Sequence, residues 1–385
     1  MHKHDIDFLI FLHRYRFENK IKKGGFDRVI EELVKNNKNI VSFENDLYTD
    51  NSYLTFLTRY IINDNNTEKI KKCYFLKKLP STFVWMSEIF INVKKVYKNI
   101  KSAKIIIGVD PLSFISGFFV RKFFFKSASL YFHAIDFTEK RFSNRITNYF
   151  YGAIFKFALI NADKVTVVSM KMIKRFNQIH KSNKYLFLPN SPSYESIPVS
   201  QICKKQPRSI VFSGALYYGI NYKLIVNALK IINKTFEKDF IFHVIGNGDM
   251  FDEFNSLIKS AGLSKKTKFH GFCEHTSAIE IMKTCKIGIT YYSGEANFNE
   301  YGDSIKLREY AACGLPSVSD SLTSTSLEGF NMGSCILVKS SVEMANAITK
   351  YFDDDLFYKK SYVSALKWAK ICDKKPMVEK YFLNT

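Results

Sequence analysis

The run Tyr301-Gly302-Asp303-Ser304-Ile305-Lys306-Leu307-Arg308-Glu309 gathers residue types suited to holding a phosphate and a sugar. Ser304 is a capping residue ahead of a helix expected to begin near Ile305. The first backbone N–H groups of such a helix point outward and favour an anion. Glu309 stands about one and a half turns into it, and Gly314-Leu315-Pro316 ends it before a buried strand. A phosphate at the helix start and a carboxylate beyond it suit a nucleoside diphosphate, with Glu309 accepting from ribose hydroxyls. A solvated helix charge is the plain alternative. His133 follows a strand in a loop that also carries Asp136, and is either a site residue or a satisfied core histidine.

Other signals are weaker. Ile245-Gly246-Asn247-Gly248 lacks the third glycine of a dinucleotide fingerprint. Asp5/Asp7 and Asp353-Asp354-Asp355 border elements and read as structural, and His2 and His4 as a frayed terminus. The seven cysteines (73, 203, 273, 285, 313, 335 and 372) form no C-x-x-C and no zinc spacing with histidine. They read as reduced cytosolic thiols, and no metal site is expected.

These residues need a scaffold. The 385 residues, 46% hydrophobic and 24% charged, exceed one ordinary domain and exclude disorder. Short Val/Ile/Phe/Tyr runs (7–13, NIVSFEN, KKCYFL, KIIIGVD, LYFHAID, KVTVVS) alternate with helical patterns (FDRVIEELVKN, NSYLTFLTRYIIN, TFVWMSEIFINVKKVYKNI, RITNYFYGAIFKFALINA). That alternation predicts a parallel α/β sheet whose ligands gather past the carboxyl ends of its strands. A four-proline segment from Pro189 breaks the pattern, which then restarts from SIVFSGA to SCILVK, and the tail from Val342 reads as helical with a break at Pro376. The expected division is 1–190, a linker over 191–208, a second domain over 209–365 and a helical crossover over 366–385.

The net charge of +21 is lopsided: +16 over residues 1–200 and +5 over the remainder. The basic half should face something anionic: nucleic acid, an anionic membrane or a phosphorylated substrate. The most apolar stretch, PLSFISGFFVRKFFFKSASLYF, is broken by Arg121, Lys122 and Lys126, so no spanning helix is expected. It fits a helix lying on an anionic membrane, or one packed on a sheet with solvated charges. No nucleic-acid module is recognisable, and the aromatics interleave as buried strands.

GDSIKLREYAACGLPSV resembles the donor-site signature of the family 4 glycosyltransferases, which have the GT-B fold of two Rossmann-like domains facing across a cleft. The resemblance extends to SIVFSGAL, FHVIGNG, TKFHGFCEHTSAIEIMKTCKIGITYY, GVDP, YFHAIDFTEKRF and NADKVTVVS, covering most of residues 105–320. It implies that Glu309 holds the nucleotide ribose and that the backbone around Gly302, Asp303, Ser304 and Ile305 binds the sugar and diphosphate. Gly271 and Phe272 match the segment at the base, and Gly214 opens a loop near the diphosphate. His133 and Asp136 match a loop beside the donor sugar. Gly24 and Gly25 match the glycine loop near the reacting centre, and Asp110 lies on the acceptor side.

Two departures stand out. The first Glu of the family's E-x7-E motif falls at Tyr301, with Glu300 one place early and Asp303 two places late; Asp303 is expected as the donor-sugar acid. The family's Arg/Lys pair for the diphosphate is missing from ALYYGINYK, leaving Lys306, Arg308 or Lys223 for the task. The resemblance implies a retaining, metal-independent transferase moving a sugar from a nucleotide-sugar substrate to a glycan or lipid-linked glycan. No cofactor or nucleic acid is expected. The predicted location is cytoplasmic, peripheral on an anionic membrane surface.

Overall fold

A computed structural model of the chain describes residues 3–17, 20–21, 24–47, 53–61, 69–76, 81–197, 204–236, 238–294 and 300–384. His2, Lys77, Lys78, Cys203 and positions 198–203 of the expected linker lie outside the described residues. The chain forms two units, Met1–Leu188 with Val378–Thr385, and Pro189–Met377.

The first unit runs β1 (His4–Phe17), β2 (Lys20–Ile21), α1 (Asp27–Lys35), β3 (Ile40–Leu47), β4 (Tyr53–Ile61), β5 (Lys69–Leu76), α2 (Ser81–Asn99), β6 (Ile100–Val109), α3 (Pro111–Phe123), β7 (Ser129–Ala134), α4 (Arg145–Asn161), β8 (Lys164–Val167), α5 (Met170–Ile179) and β9 (Tyr185–Phe187). Among the described residues the sheet order is β5-β4-β3-β1-β6-β7-β8-β9, parallel from β3 to β9, with β2 paired to β1. The order reverses between β1 and β6, and crevices at such reversals are where open α/β sheets bind ligands. Central β1 buries Phe8 to Leu12 completely or nearly so, as a strand covered on both faces must.

One segment differs from its sequence reading. Tyr53–Ile61, expected as a helix, is strand β4, antiparallel between β3 and β5. Its Thr and aromatic residues favour a strand, and an antiparallel neighbour needs only a short connection where a parallel one needs a crossover.

The second unit runs β10 (Ser209–Ser213), α6 (Tyr222–Thr235), β11 (Ile241–Ile245), α7 (Phe251–Ser260), β12 (Thr267–Gly271), α8 (His275–Thr284), β13 (Ile287–Ile289), α9 (Ile305–Ala312), β14 (Ser317–Ser319), α10 (Ser324–Asn331), β15 (Cys335–Leu337), α11 (Ser341–Asp353), α12 (Asp355–Ile371) and α13 (Lys374–Val378). Its all-parallel sheet, β12-β11-β10-β13-β14-β15, reverses order between β10 and β13. Asn190, Ser191 and Ser193, expected near or in a free linker, are buried in this unit. The last residues belong to the first unit, where the Phe382 ring stands 6.4 Å from Phe8 and 5.7 Å from Tyr131.

Candidate active site

In the second unit the site begins with glycines at the carboxyl edge. Gly214 N–H donates to the Ile245 carbonyl at 2.9 Å, and Gly246 N–H to the Gly271 carbonyl at 2.7 Å, lacing together the loops after β10, β11 and β12. A Cβ on Gly246 would fall 2.0 Å from the Gly214 carbonyl oxygen, so only glycine permits this approach. The G-x-G of the sequence therefore serves the stacking of loops. Phe272, beyond Gly271, is 79% exposed.

Helix α9 starts beside this edge. Ser304 caps it, accepting from Leu307 N–H at 3.4 Å, and its own hydroxyl meets Tyr292 Oη at 2.5 Å. The helix is seated by Tyr310, whose ring fills the space a side chain at Gly288 would need and whose hydroxyl accepts from Ser213 N–H at 2.8 Å. Gly302 and Asp303 lead into the turn, and the N–H groups of Ile305 and Lys306 open the helix without intrahelical partners, as every helix start must. Lys306 reaches back to the loop after β10: its Cε would stand 2.9 Å from a Cβ on Gly214. Its Nζ lies 4.8 Å from the Phe212 ring centroid and 5.2 Å from that of Tyr292. Burial lowers its pKa to about 8, against the opposing pull of Glu309 and Asp320. Glu309, nearly buried, is met at 2.9 Å by Nε2 of His275, the first residue of α8.

Two expectations give way here. Asp303, expected to face the donor sugar, has a fully buried carboxylate whose oxygens accept from Asn190 N–H (2.5 Å), the Thr325 hydroxyl (2.6 Å) and Arg308 Nε (2.9 Å). Arg308, a candidate for the diphosphate, is buried between Asp303 and Glu328. Each of these charges satisfies the other and neither is presented to a ligand. Of the cations considered, Lys306 stands at the glycine edge.

In the first unit, Gly24 and Gly25 precede α1, and Gly24 N–H donates to Asp27 Oδ2 at 2.6 Å. Asp27 is in turn held by Arg14 Nη1 at 2.6 Å, and Arg14 pairs with buried Glu44. The glycine loop thus hangs from an ion cluster on β1. His133, expected to line the site, is buried: Nδ1 lies 2.8 Å from Thr166 Oγ1, and the Phe26 ring covers it at 4.8 Å. Asp136 is partly exposed and paired with Arg141, which donates to Tyr151 Oη at 2.7 Å.

Asp110 caps α3 from the β1/β6 reversal, with φ at 147°, an unfavourable region for a residue with a Cβ. Its Oδ2 lies 2.8 Å from His13 Nδ1 and 2.6 Å from the Ser113 hydroxyl, while His13 Nε2 lies 3.1 Å from Glu88. Burial disfavours the charged His13, but Asp110 and Glu88 outweigh it and lift its pKa to about 10. Burial likewise opposes ionisation of Asp110, and the His13 cation and Ser113 hold its pKa below the ordinary value. His13, Glu88 and His275 escape the sequence reading, since their partners come from other elements. His13 carried one usable signal, a polar residue at the end of a buried run. Among the described residues, no group of three or more His, Cys, Asp or Glu side chains is placed to hold a metal ion.

Residues 194–367, within the second unit, match the glycosyl transferases group 1 family. No curated protein matches the sequence. Among solved structures, HepE of Anabaena, in complex with UDP, is 14% identical with a TM-score of 0.67, the match covering 98% of both chains. WaaG, a glycosyltransferase of lipopolysaccharide biosynthesis, is 14% identical with a TM-score of 0.65, covering 97% of this chain and 98% of that one. TarM, named in a related structure as an S. aureus protein, is 15% identical with a TM-score of 0.62. That match covers 86% of this chain and 66% of TarM, so the chain spans just under two thirds of it. At these identities the likeness establishes the fold, which is GT-B.

Proposed function

We propose that this chain, with its group 1 glycosyl transferase domain on a GT-B fold, transfers a sugar from a nucleoside-diphosphate sugar to a glycan acceptor in surface-polysaccharide synthesis. The observation that carries the reading is the convergence of Lys306, the start of α9 and Glu309 beside the glycine edge of the second sheet. The diphosphate lies on the N–H groups of Ile305 and Lys306, where helix dipole and ammonium stabilise the leaving charge. Glu309 accepts from the ribose hydroxyls, and Gly271 and Phe272 flank the base. UDP, the ligand of HepE, is the first nucleotide to test.

The first unit supplies the acceptor side, with Gly24, Gly25 and Asp110 near the acceptor, Asp136 in the loop beside the donor sugar, and His133 supporting the glycine loop through Phe26. We read the reaction as retaining and metal-independent, the acceptor as lipid-linked, and the enzyme as peripheral on an anionic membrane. No helix among the described residues is long and apolar enough to cross one.

A second reading, a binding scaffold without turnover, is favoured by Tyr301 at the place of an acid and by the burial of Asp303. Nucleotide release from a panel of UDP-, GDP- and ADP-sugars separates the two. The enzyme releases nucleotide from at least one donor, and the scaffold binds nucleotide and releases none.

A further inference from the structure

The turn that opens α9 and the two points where the chain passes between units share one buried charge cluster. The chain enters the second unit at Pro189 and leaves it after Met377. Close to those points Lys374 Nζ donates to the Pro189 carbonyl, the Ser191 hydroxyl donates to the Cys372 carbonyl, and Tyr194 N–H donates to Asp373 at 3.0 Å. The entering and leaving segments are thus bound to each other. Asp303 and Arg308 bind both of them to the turn. Asp303 Oδ2 accepts from Asn190 N–H, while Arg308 Nη1 reaches Cys372 Sγ at 3.1 Å with its guanidinium over the Trp368 ring. Thr325 completes the cluster, its hydroxyl accepting from Ser304 N–H at 2.8 Å and donating to Asp303 Oδ1.

The side chains of Arg308 and Asp303 are 1% and 0% exposed. A buried ion pair adds little net stability over apolar packing, but losing one partner is costly and its directed bonds fix geometry. A displacement of the turn therefore shifts Asp303, and with it the Asn190 amide.

We propose that Asp303 is a positioning residue that couples occupation of the turn 302–306 by the donor diphosphate to the crossing segments 189–194 and 372–375. The proposal rests on the donor-site reading above. Thermodynamic linkage makes the coupling reciprocal: whatever orders the crossing segments also favours the nucleotide-bound turn.

Hydrogen exchange of the full chain, with and without saturating UDP, tests this. In the unsubstituted protein UDP should slow exchange at least fivefold over 302–309 and over both crossing segments. At saturating UDP, Asp303→Asn, and Thr325→Val as the milder variant, should bind UDP more weakly, retain the slowing over 302–309 and lose it at 189–194 and 372–375. If Asp303→Asn does not fold, Thr325→Val and the unsubstituted protein still decide the matter. Slowing confined to 302–309 in the unsubstituted protein overturns the proposal, as does remote slowing that survives in a folded variant. If UDP leaves 302–309 unchanged, the donor-site reading itself fails and this one falls with it.

Discussion

His275 Nε2 lies 2.9 Å from Glu309 Oε1, so a half-exposed imidazole at the start of one helix holds the carboxylate of another. In the proposed nucleotide site this carboxylate accepts from a ribose hydroxyl, and the histidine fixes its orientation. Glu309→Ala should weaken UDP binding by about 2–3 kcal/mol, the scale of a hydrogen bond to a charged group. His275→Ala should cost about 1 kcal/mol, because it removes only the orienting partner. Titration calorimetry checks both, and equal UDP affinity in all three proteins would remove Glu309 from the nucleotide site.

The proposed place of Lys306 at the diphosphate predicts a pH dependence of nucleotide binding. With its pKa at about 8, the free protein has lost about half of this ammonium by pH 8 and loses the rest as pH rises further. A bound diphosphate favours the charged form, so binding at pH 8–9 should take up a proton. UDP affinity should fall above pH 8, and Lys306→Met should flatten the profile and weaken binding at pH 7 by about 2 kcal/mol. Calorimetry in buffers of different ionisation enthalpy reads the proton directly. An affinity flat from pH 7 to 9.5 would show that Lys306 does not meet the phosphates.

These residues also show where sequence reading stops. The Ser304 cap and the place of Glu309 within α9 were legible because capping and helical spacing are local. The second sheet was legible because its strands are short apolar runs punctuated by glycine. Asp303 was misplaced because what determines its role is Asn190, 113 residues away, and His275 was missed because its partner lies 34 residues on. Tyr53–Ile61 was misread because its apolar spacing suits a helix as well as a strand, and pairing with β3 and β5 decides it. Helices α5 and α10 went unread: both are short, and tertiary packing supplies most of the stability of such helices.

The His13 cluster governs stability against pH. A folded pKa of about 10 against an ordinary 6.5 means His13 contributes fully below pH 6.5 and loses that contribution as pH climbs towards 10. Asp110, with its pKa lowered, contributes above its ordinary value near 4 and loses it as pH falls further. This cluster therefore gives most between about pH 4 and 6.5. His13→Ala takes from Glu88 and Asp110 the cation they share and should cost about 3–5 kcal/mol. Urea unfolding at pH 6 and pH 9 checks it: the difference between parent and variant should shrink at pH 9, and a difference independent of pH would deny the imidazolium.

Chelation tests the metal expectation. The cations proposed to face the diphosphate are protein groups, Lys306 and the α9 amides, so nucleotide release should be unchanged in EDTA. Loss of activity on chelation, restored by Mg²⁺ or Mn²⁺, would assign that charge stabilisation to an ion instead.

The basic half of the sequence acquires a definite surface in the first unit. Phe83, Met86, Phe90 and Tyr97 form an exposed stripe along α2, where a soluble helix would present polar residues. Phe123 and Phe124 at the end of α3 extend it, the Tyr97 and Phe124 rings lying 5.6 Å apart, and α4, packed against α3, exposes Ile146, Tyr149 and Phe150. Lys94, Lys98, Lys122 and Lys126 are exposed on or beside the same helices. Aromatic rings flanked by lysines suit the headgroup region of an anionic bilayer, where each Lys adds on the order of 1 kcal/mol. Base-reading surfaces would call for Arg and its bidentate contacts. Replacing Lys94, Lys95 and Lys98 together by Glu reverses three charges on α2 and should release the protein from phosphatidylserine vesicles at 0.1 M salt, leaving UDP affinity unchanged. Phe90→Ser, which removes a ring and no charge, should weaken binding that persists at high salt. Cosedimentation reads both variants, and vesicle binding indifferent to salt and to all four substitutions would mean that this face meets something other than a membrane.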